Sequence, residues 1–249
     1  MKLLKIKTFF IFFLFQNSYG FAQQKIELHL VDNAGKPIPY ASVFWTKDWG
    51  LVCDAFGYLQ IPDKTKIDSL IITAIGYERT VVKKDVFIDN TNLTIKLQKN
   101  FVELLEIIIA KYNTEQEYGS TDTKQRIAYI KNDLCINLQS ALLIKSYNYP
   151  AQCKSVSVFI AKQSSTDIPY RLRLYDIGVD SLPGKDLLLE NIIVSSYKPN
   201  SWNTYSFDTL SIQLPKNGFF VAVEWLCTDI KSENGLCIAQ TNTIEEDLT

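Results

Sequence analysis

Short apolar runs with a period of two recur along most of this chain, and that pattern constrains the fold more than any other feature. In residues 25–31, Ile26, Leu28 and Leu30 fall on one face and Glu27, His29 and Val31 on the other. Residues 155–161 place Val156, Val158 and Ile160 together, and residues 170–175 set Arg171 and Arg173 against Leu172 and Leu174. Side chains alternate across a strand, so each run reads as a strand with one buried face. Turn chemistry separates the runs: Asp32-Asn33-Ala34-Gly35, Lys47-Asp48-Trp49-Gly50 and Pro215-Lys216-Asn217-Gly218. An aromatic content of 12% suits sheet structure. The predicted fold class is all-β.

Residues 25–31, 39–46, 56–61, 69–74, 80–82 and 93–97 are expected as strands of a first β-sandwich. Strands at this spacing, bounded by turns, suit that architecture. Residues 155–161, 170–175, 187–195, 204–214, 219–226 and 237–241 are expected as strands of a second, antiparallel and jelly-roll-like β-sandwich. Residues 176–185, with Gly178, Pro183 and Gly184, read as a long loop. The predicted organisation is a signal peptide at 1–22, a first sandwich at 23–99, a β segment and polar linker at 100–124, and the second sandwich at 125–249. Segment 101–110 is rich in Ile and Leu, whereas 111–124 is polar and is expected to be the most weakly packed part of the mature chain.

The first 22 residues form a targeting segment. Lys2, Lys5 and Lys7 precede the apolar run 8–15, and Gly20-Phe21-Ala22 is a small-x-small cleavage site. That order is the secretory pattern, and the run is shorter than the ~20 residues that span a bilayer. The mature protein is expected to begin at Gln23. It then holds 23 basic and 27 acidic residues, a net charge of −4. No later stretch is long enough to span a membrane as a helix. Export to the periplasm or the outer membrane is the expected localisation.

Composition excludes several function classes. The absence of a basic excess argues against a nucleic-acid partner that would be held through phosphates. A single His, His29, rules out multi-histidine zinc sites, and no second His stands ready as a catalytic partner. No nucleophile elbow, HExxH, phosphate loop, dinucleotide fingerprint or calcium loop is present. No catalytic residue, metal site or cofactor is therefore assigned, and the chain is not expected to be an enzyme.

Three motifs follow one another in the first sandwich. They are Asp32-Asn33-Ala34-Gly35-Lys36-Pro37-Ile38-Pro39-Tyr40-Ala41-Ser42-Val43, then Asp54-Ala55-Phe56-Gly57-Tyr58-Leu59-Gln60-Ile61, then Ile72-Thr73-Ala74-Ile75-Gly76-Tyr77. Together they resemble the carboxypeptidase regulatory-like domain, a transthyretin-type sandwich. That family abounds in exported proteins of gram-negative bacteria, including the front of TonB-dependent outer-membrane receptors. The resemblance covers residues 24–98; the turn geometry of Gly35, Pro37, Pro39, Asp54 and Gly57 gives these motifs a scaffold role. One departure is Cys53, where the family usually has Thr. A receptor barrel of ~22 strands does not fit in the remaining chain. The runs Pro169–Tyr175, Pro183–Leu188 and Gly218–Leu226 resemble C-terminal modules of similar exported proteins, which carry no established activity. Such modules run further, so a shortened C-terminus is expected. Asp180-Ser181-Leu182 and Asp208-Thr209-Leu210 resemble a short O-glycosylation signal of such proteins, although coincidence explains three residues as well.

Individual residues add expectations. Cys227 and Cys237 flank a hairpin-like polar stretch, and two readings stay open: a disulfide across it, or two buried thiols. Glu224 lies in the apolar run 219–226, where an unpaired carboxylate is costly. A partly buried bridge from Glu224 to Arg171 or Arg173 is the expected solution. Trp49, Tyr147, Tyr149 and Tyr205 are candidate ligand-stacking residues, with Trp45 and Trp202 also considered. The expected function is a non-enzymatic exported module at the cell envelope that binds a glycan or a protein. The alternative is a structural or assembly subunit of an outer-membrane complex.

Overall fold

The computed structural model describes residues 25–46, 49–61, 67–100, 115–121, 127–129, 138–145, 147–226 and 236–239. The leader, segment 101–110, Cys135 and Cys227 lie outside the described residues. The protein is nearly all β. Among the described residues one helical turn, Lys84–Phe87 (α1), interrupts a succession of strands.

The first sandwich packs two sheets face to face. One runs in the order β4 (Tyr58–Ile61), β1 (Ile26–Asp32), β7 (Asn92–Leu97). The other runs β3 (Gly50–Val52), β2 (Ser42–Phe44), β5 (Ser69–Thr73), β6 (Thr80–Lys83). The pair β1 and β7 is parallel, with Leu28 opposite Leu93, and the other pairs are antiparallel. The expected inward faces meet here: Ile26, Leu28 and Leu30 pack with Val43, Leu70 and Ile72. Phe87 of α1 plugs the same core and is fully buried.

The second sandwich has its own core. One sheet runs β14 (Ser201–Ser206), β10 (Ser155–Ile160), β16 (Cys237–Ala239), β8 (Ile127–Tyr129). The other runs β12 (Pro183–Asp186), β11 (Pro169–Ile177), β15 (Phe219–Trp225), β9 (Gln139–Ile144), and β13 (Ile192–Ser195) also pairs with β11. Pairing in both sheets is antiparallel. Val156, Val158 and Ile160 face Leu172, Leu174 and Val223 across the core.

Several boundaries differ from the sequence expectation. The expected loop 176–185 carries β12, whose Asp186 lies opposite Tyr175. Pro183 and Gly184 disguise that strand, and an edge position is where a sheet tolerates Pro. The expected strand at 187–195 starts only at Ile192, and the one at 204–214 is Ser201–Ser206. The turn after β2 leads into β3, three residues too short to show alternation. Of the expected linker, residues 115–118 dock on the second sandwich. There Gln116 Oε1 accepts from Asn148 Nδ2 at 2.9 Å, Glu115 pairs with Lys154, and the Tyr118 ring meets Tyr147 edge-on at 6.2 Å.

Candidate functional site: a charged cleft between the sandwiches

Two turns of one design frame the stretch of the first sandwich that leads into β2. At each, an Asp carboxylate accepts two backbone amides two and four residues on. Asp32 takes Ala34 and Lys36, both at 2.9 Å, and Asp54 takes Phe56 and Tyr58, both at 2.8 Å. A glycine with positive φ follows three residues after each Asp, Gly35 at +81° and Gly57 at +76°. Glycine enters this left-handed region without steric cost.

Between the two turns runs the 37–41 segment. Tyr40 itself sits in the left-handed region, at φ +55°. Cys53 supports this segment from below: its thiol accepts from Ala41 N–H at 3.0 Å and donates to the Ile38 carbonyl at 3.3 Å. A threonine hydroxyl can make the same two bonds. Burial pushes the Cys53 thiol up to about 11, against the lowering effect of the Ala41 bond. Burial likewise pushes Cys153 up to about 11 and raises Cys237. These thiols are protonated at neutral pH and are poor nucleophiles. Cys237 is a free buried thiol in the structure, and its candidate disulfide partner Cys227 is not among the described residues.

The outward face of β9, β15 and β11 supplies the other side. Register places Gln139, Glu224 and Arg171 in a row across three strands. Directly opposed side chains on one sheet face are in contact range. Arg171 Nη1 donates to Glu224 Oε1 at 2.6 Å, and Arg173 Nη1 donates to Glu224 Oε2 at 3.3 Å. Gln139 Nε2 reaches the same Oε2 at 3.4 Å, while its Oε1 accepts from Tyr175 Oη at 2.9 Å. The structure thus brings Glu224 together with both arginines. Glu224 and Arg171 are deeply buried, with side chains 6% and 5% exposed.

The network also ties the sandwiches to each other. Arg171 Nε donates to Asn191 Oδ1 at 2.7 Å, and its Nη2 donates to the carbonyl of Tyr40. Asn191 Nδ2 donates to the carbonyl of Pro39 at 3.1 Å. Two consecutive carbonyls of the first sandwich are therefore held by two side chains of the second. Asn191, Gln139 and Asp186 are absent from the sequence-based expectations. Each is a polar residue whose partner lies on another strand, and no local pattern marks it.

Asp186 extends the network toward solvent. Arg173 Nε lies 2.8 Å from Asp186 Oδ2, yet neither atom has an aligned hydrogen bond. Burial raises the Asp186 carboxyl above its usual range, and the nearby Arg173 charge opposes that rise. These groups line a cleft of about 570 Å³ between the sandwiches. Its other wall includes Ser42, Phe44, Thr73 and Asn100.

The stacking candidates are not gathered in this cleft. Tyr147 and Tyr205 are half-buried and pack against the second core. Tyr147 meets Phe219 edge-on at 5.5 Å, and Tyr205 meets Phe207 at 5.3 Å. Burial pushes the Tyr147 phenol up to about 12. Trp49 and Tyr149 are exposed, one in the β2–β3 hairpin and the other ahead of β10. Trp45 packs against the first core, and Trp202 is exposed beside Phe159 on the outer face of the second sandwich. His29 stacks on Tyr58 with ring centroids 4.1 Å apart, away from the cleft. Among the described residues there is no metal-competent cluster, and no helix is long and apolar enough to cross a membrane. No family model matches the chain, and neither does any curated protein.

Proposed function

We propose that the protein is an exported, non-enzymatic cell-envelope module that binds a glycan in the cleft between its two sandwiches. The cleft carries this reading. Its volume of about 570 Å³ falls in the range of small-ligand pockets, whereas a standard protein partner needs a broad surface of about 800 Å² on each side. The Gln139 amide, the Arg173 guanidinium and the Asp186 carboxylate line the cleft and are planar polar groups that can pair with adjacent sugar hydroxyls. Phe44, Leu188 and Leu189 line the same cleft and offer apolar contact for the C–H face of a ring.

Two carboxylates beside one arginine resemble a glycosidase pair only in composition. Both oxygens of Glu224 already accept hydrogen bonds, and its side chain is 6% exposed, so it has no route to a glycosidic oxygen. The first sandwich is proposed as a carboxypeptidase regulatory-like domain. Its paired Asp-x-x-Gly turns support that assignment. The leader and the envelope location belong to the same proposal, and intact mass of the protein from the envelope fraction should show a mature chain beginning at Gln23.

Glycan-array binding with the mature chain tests the function. Binding that is lost when the cleft is filled by Ser42→Trp supports it. No binding to any glycan, together with recovery of a stoichiometric envelope-protein complex, would favour the assembly-subunit alternative.

A further inference from the structure

The two arginines of the cleft are not equivalent. Arg171 has every arm engaged, by Glu224, Asn191 and the Tyr40 carbonyl, and its side chain is 5% exposed. Arg173 is 17% exposed and only partly engaged. Its Nη1 makes a long bond to Glu224, its Nε sits beside Asp186 without alignment, and its guanidinium carbon lies 5.2 Å from the Tyr175 ring centroid. A buried polar atom without an aligned partner carries an unrecovered desolvation cost. A ligand acceptor that turns the Arg173 fork toward itself recovers it.

The charges of the cleft point the same way. Arg171, Arg173 and Lys185 line it against two carboxylates, Asp186 and Glu224, which leaves one positive charge over. Glu224 is matched by two guanidiniums and an amide, so it presents little free negative charge to a ligand. Planar guanidinium forks bind carboxylate, phosphate and sulfate groups through two parallel N–H bonds.

From this asymmetry we infer that Arg173 is the ligand-anchoring residue of the cleft and that the glycan it takes is acidic, bearing a carboxylate, sulfate or phosphate group. The inference rests on the glycan-binding reading above. Arg171 is a positioning residue that holds Glu224 and the first sandwich in place.

The experiment is an array of oligosaccharides in matched pairs, each presented with and without its acidic group, probed with the mature wild-type chain. Uronic-acid, sulfated and phosphorylated members separate the three sources of negative charge. The expected result is at least tenfold preference for the acidic member of a pair, weakening as salt rises. Arg173→Gln should remove that preference, and Arg173→Lys should retain part of it, with thermal melts checking that both variants are folded. Equal binding of acidic and neutral members, or binding of neutral members alone, overturns the inference and leaves the glycan reading standing. Binding to no glycan overturns both. Should Arg173→Gln fail to fold, the matched pairs on the wild-type chain still decide the question.

Discussion

The two sandwiches hold their polar groups by opposite means. In the first, the deciding bonds are local: Asp32 and Asp54 each fold a five-residue turn onto its own amides. In the second, Asn203 also closes a local turn, but the network at the cleft is long-range. Arg171 and Glu224 stand 53 positions apart, and Arg171 and Tyr40 stand 131 apart. A local bond costs little chain entropy and forms from one short stretch of sequence. A buried ion pair forms only after strands from distant segments have met, and its desolvation leaves it unforgiving of a missing partner. The comparison implies that the first sandwich is sensitive to backbone geometry and the second to charge.

The largest effect should fall on the charge side. Glu224→Ala leaves Arg171 buried without its counter-ion, at a cost of about 3–5 kcal/mol. Glu190→Ala, at an exposed position on the same sandwich, should cost less than about 0.5 kcal/mol. Urea unfolding of the full chain measures both, and equal behaviour of the two variants would break the comparison.

Next come the two turn glycines, which sharpen the backbone side. Both have positive φ, so Ala at either carries a penalty of about 1–2 kcal/mol. At Gly35 a Cβ meets nothing within 4 Å, whereas at Gly57 it lies 2.5 Å from the Leu30 carbonyl oxygen. Gly57→Ala should therefore cost a further ~1–3 kcal/mol for the clash. Ranking the two by urea midpoint tests this, and a larger effect at Gly35 would contradict it.

Cys53 offers a smaller test within the first sandwich. Cys53→Ala strips the Ala41 amide and the Ile38 carbonyl of their partner and should cost about 1–3 kcal/mol. Cys53→Thr restores both bonds and should recover most of that loss. In the folded protein at pH 8, peptide mapping after alkylation should find Cys53 unmodified, since its thiol titrates at about 11.

The smallest effect concerns Asp186. Its folded pKa lies above the unfolded value of 3.8, so the folded state keeps its proton longer than the unfolded state does. Stability contributed by this carboxyl is therefore greatest at low pH. It falls as pH rises from 3.8 through the raised folded value. Asp186→Asn should flatten stability against pH in that window, gaining on the wild type as pH increases. An unchanged pH profile would show that the carboxyl titrates normally.

The sequence made one half of this pattern readable. Asp32-Asn33-Ala34-Gly35 was visible as turn chemistry, and Asp54-Ala55-Phe56-Gly57 repeats its Asp-x-x-Gly spacing. Alternation assigned Ile26, Leu28 and Leu30 inward, and it put Glu224 on the strand face opposite Val223 and Trp225. It also marked Glu224 as a carboxylate in need of a cation and named the two arginines. It did not choose between them, and the structure shows that Glu224 takes both. Tyr147 and Tyr205 stood out in the sequence as aromatic rings, and only the structure shows both packed against the second core. Strand β12 was hidden because Pro183 and Gly184 read as loop residues until a neighbouring strand supplies the pairing.

What the sequence determined by itself is whatever depends on neighbours within a few residues: the period of each strand, the chemistry of each turn and the sign of each charge. The tertiary structure alone decided that the outward face of β11 and β15 does not meet open water but turns toward the first sandwich, where Arg171 and Asn191 grip the carbonyls of Tyr40 and Pro39. Those carbonyls are the same in every residue type. No side-chain pattern can announce that one of them will be held by an arginine 131 positions away. Only the packing of two completed sandwiches brings the donors within reach, and the cleft exists because the sandwiches meet there.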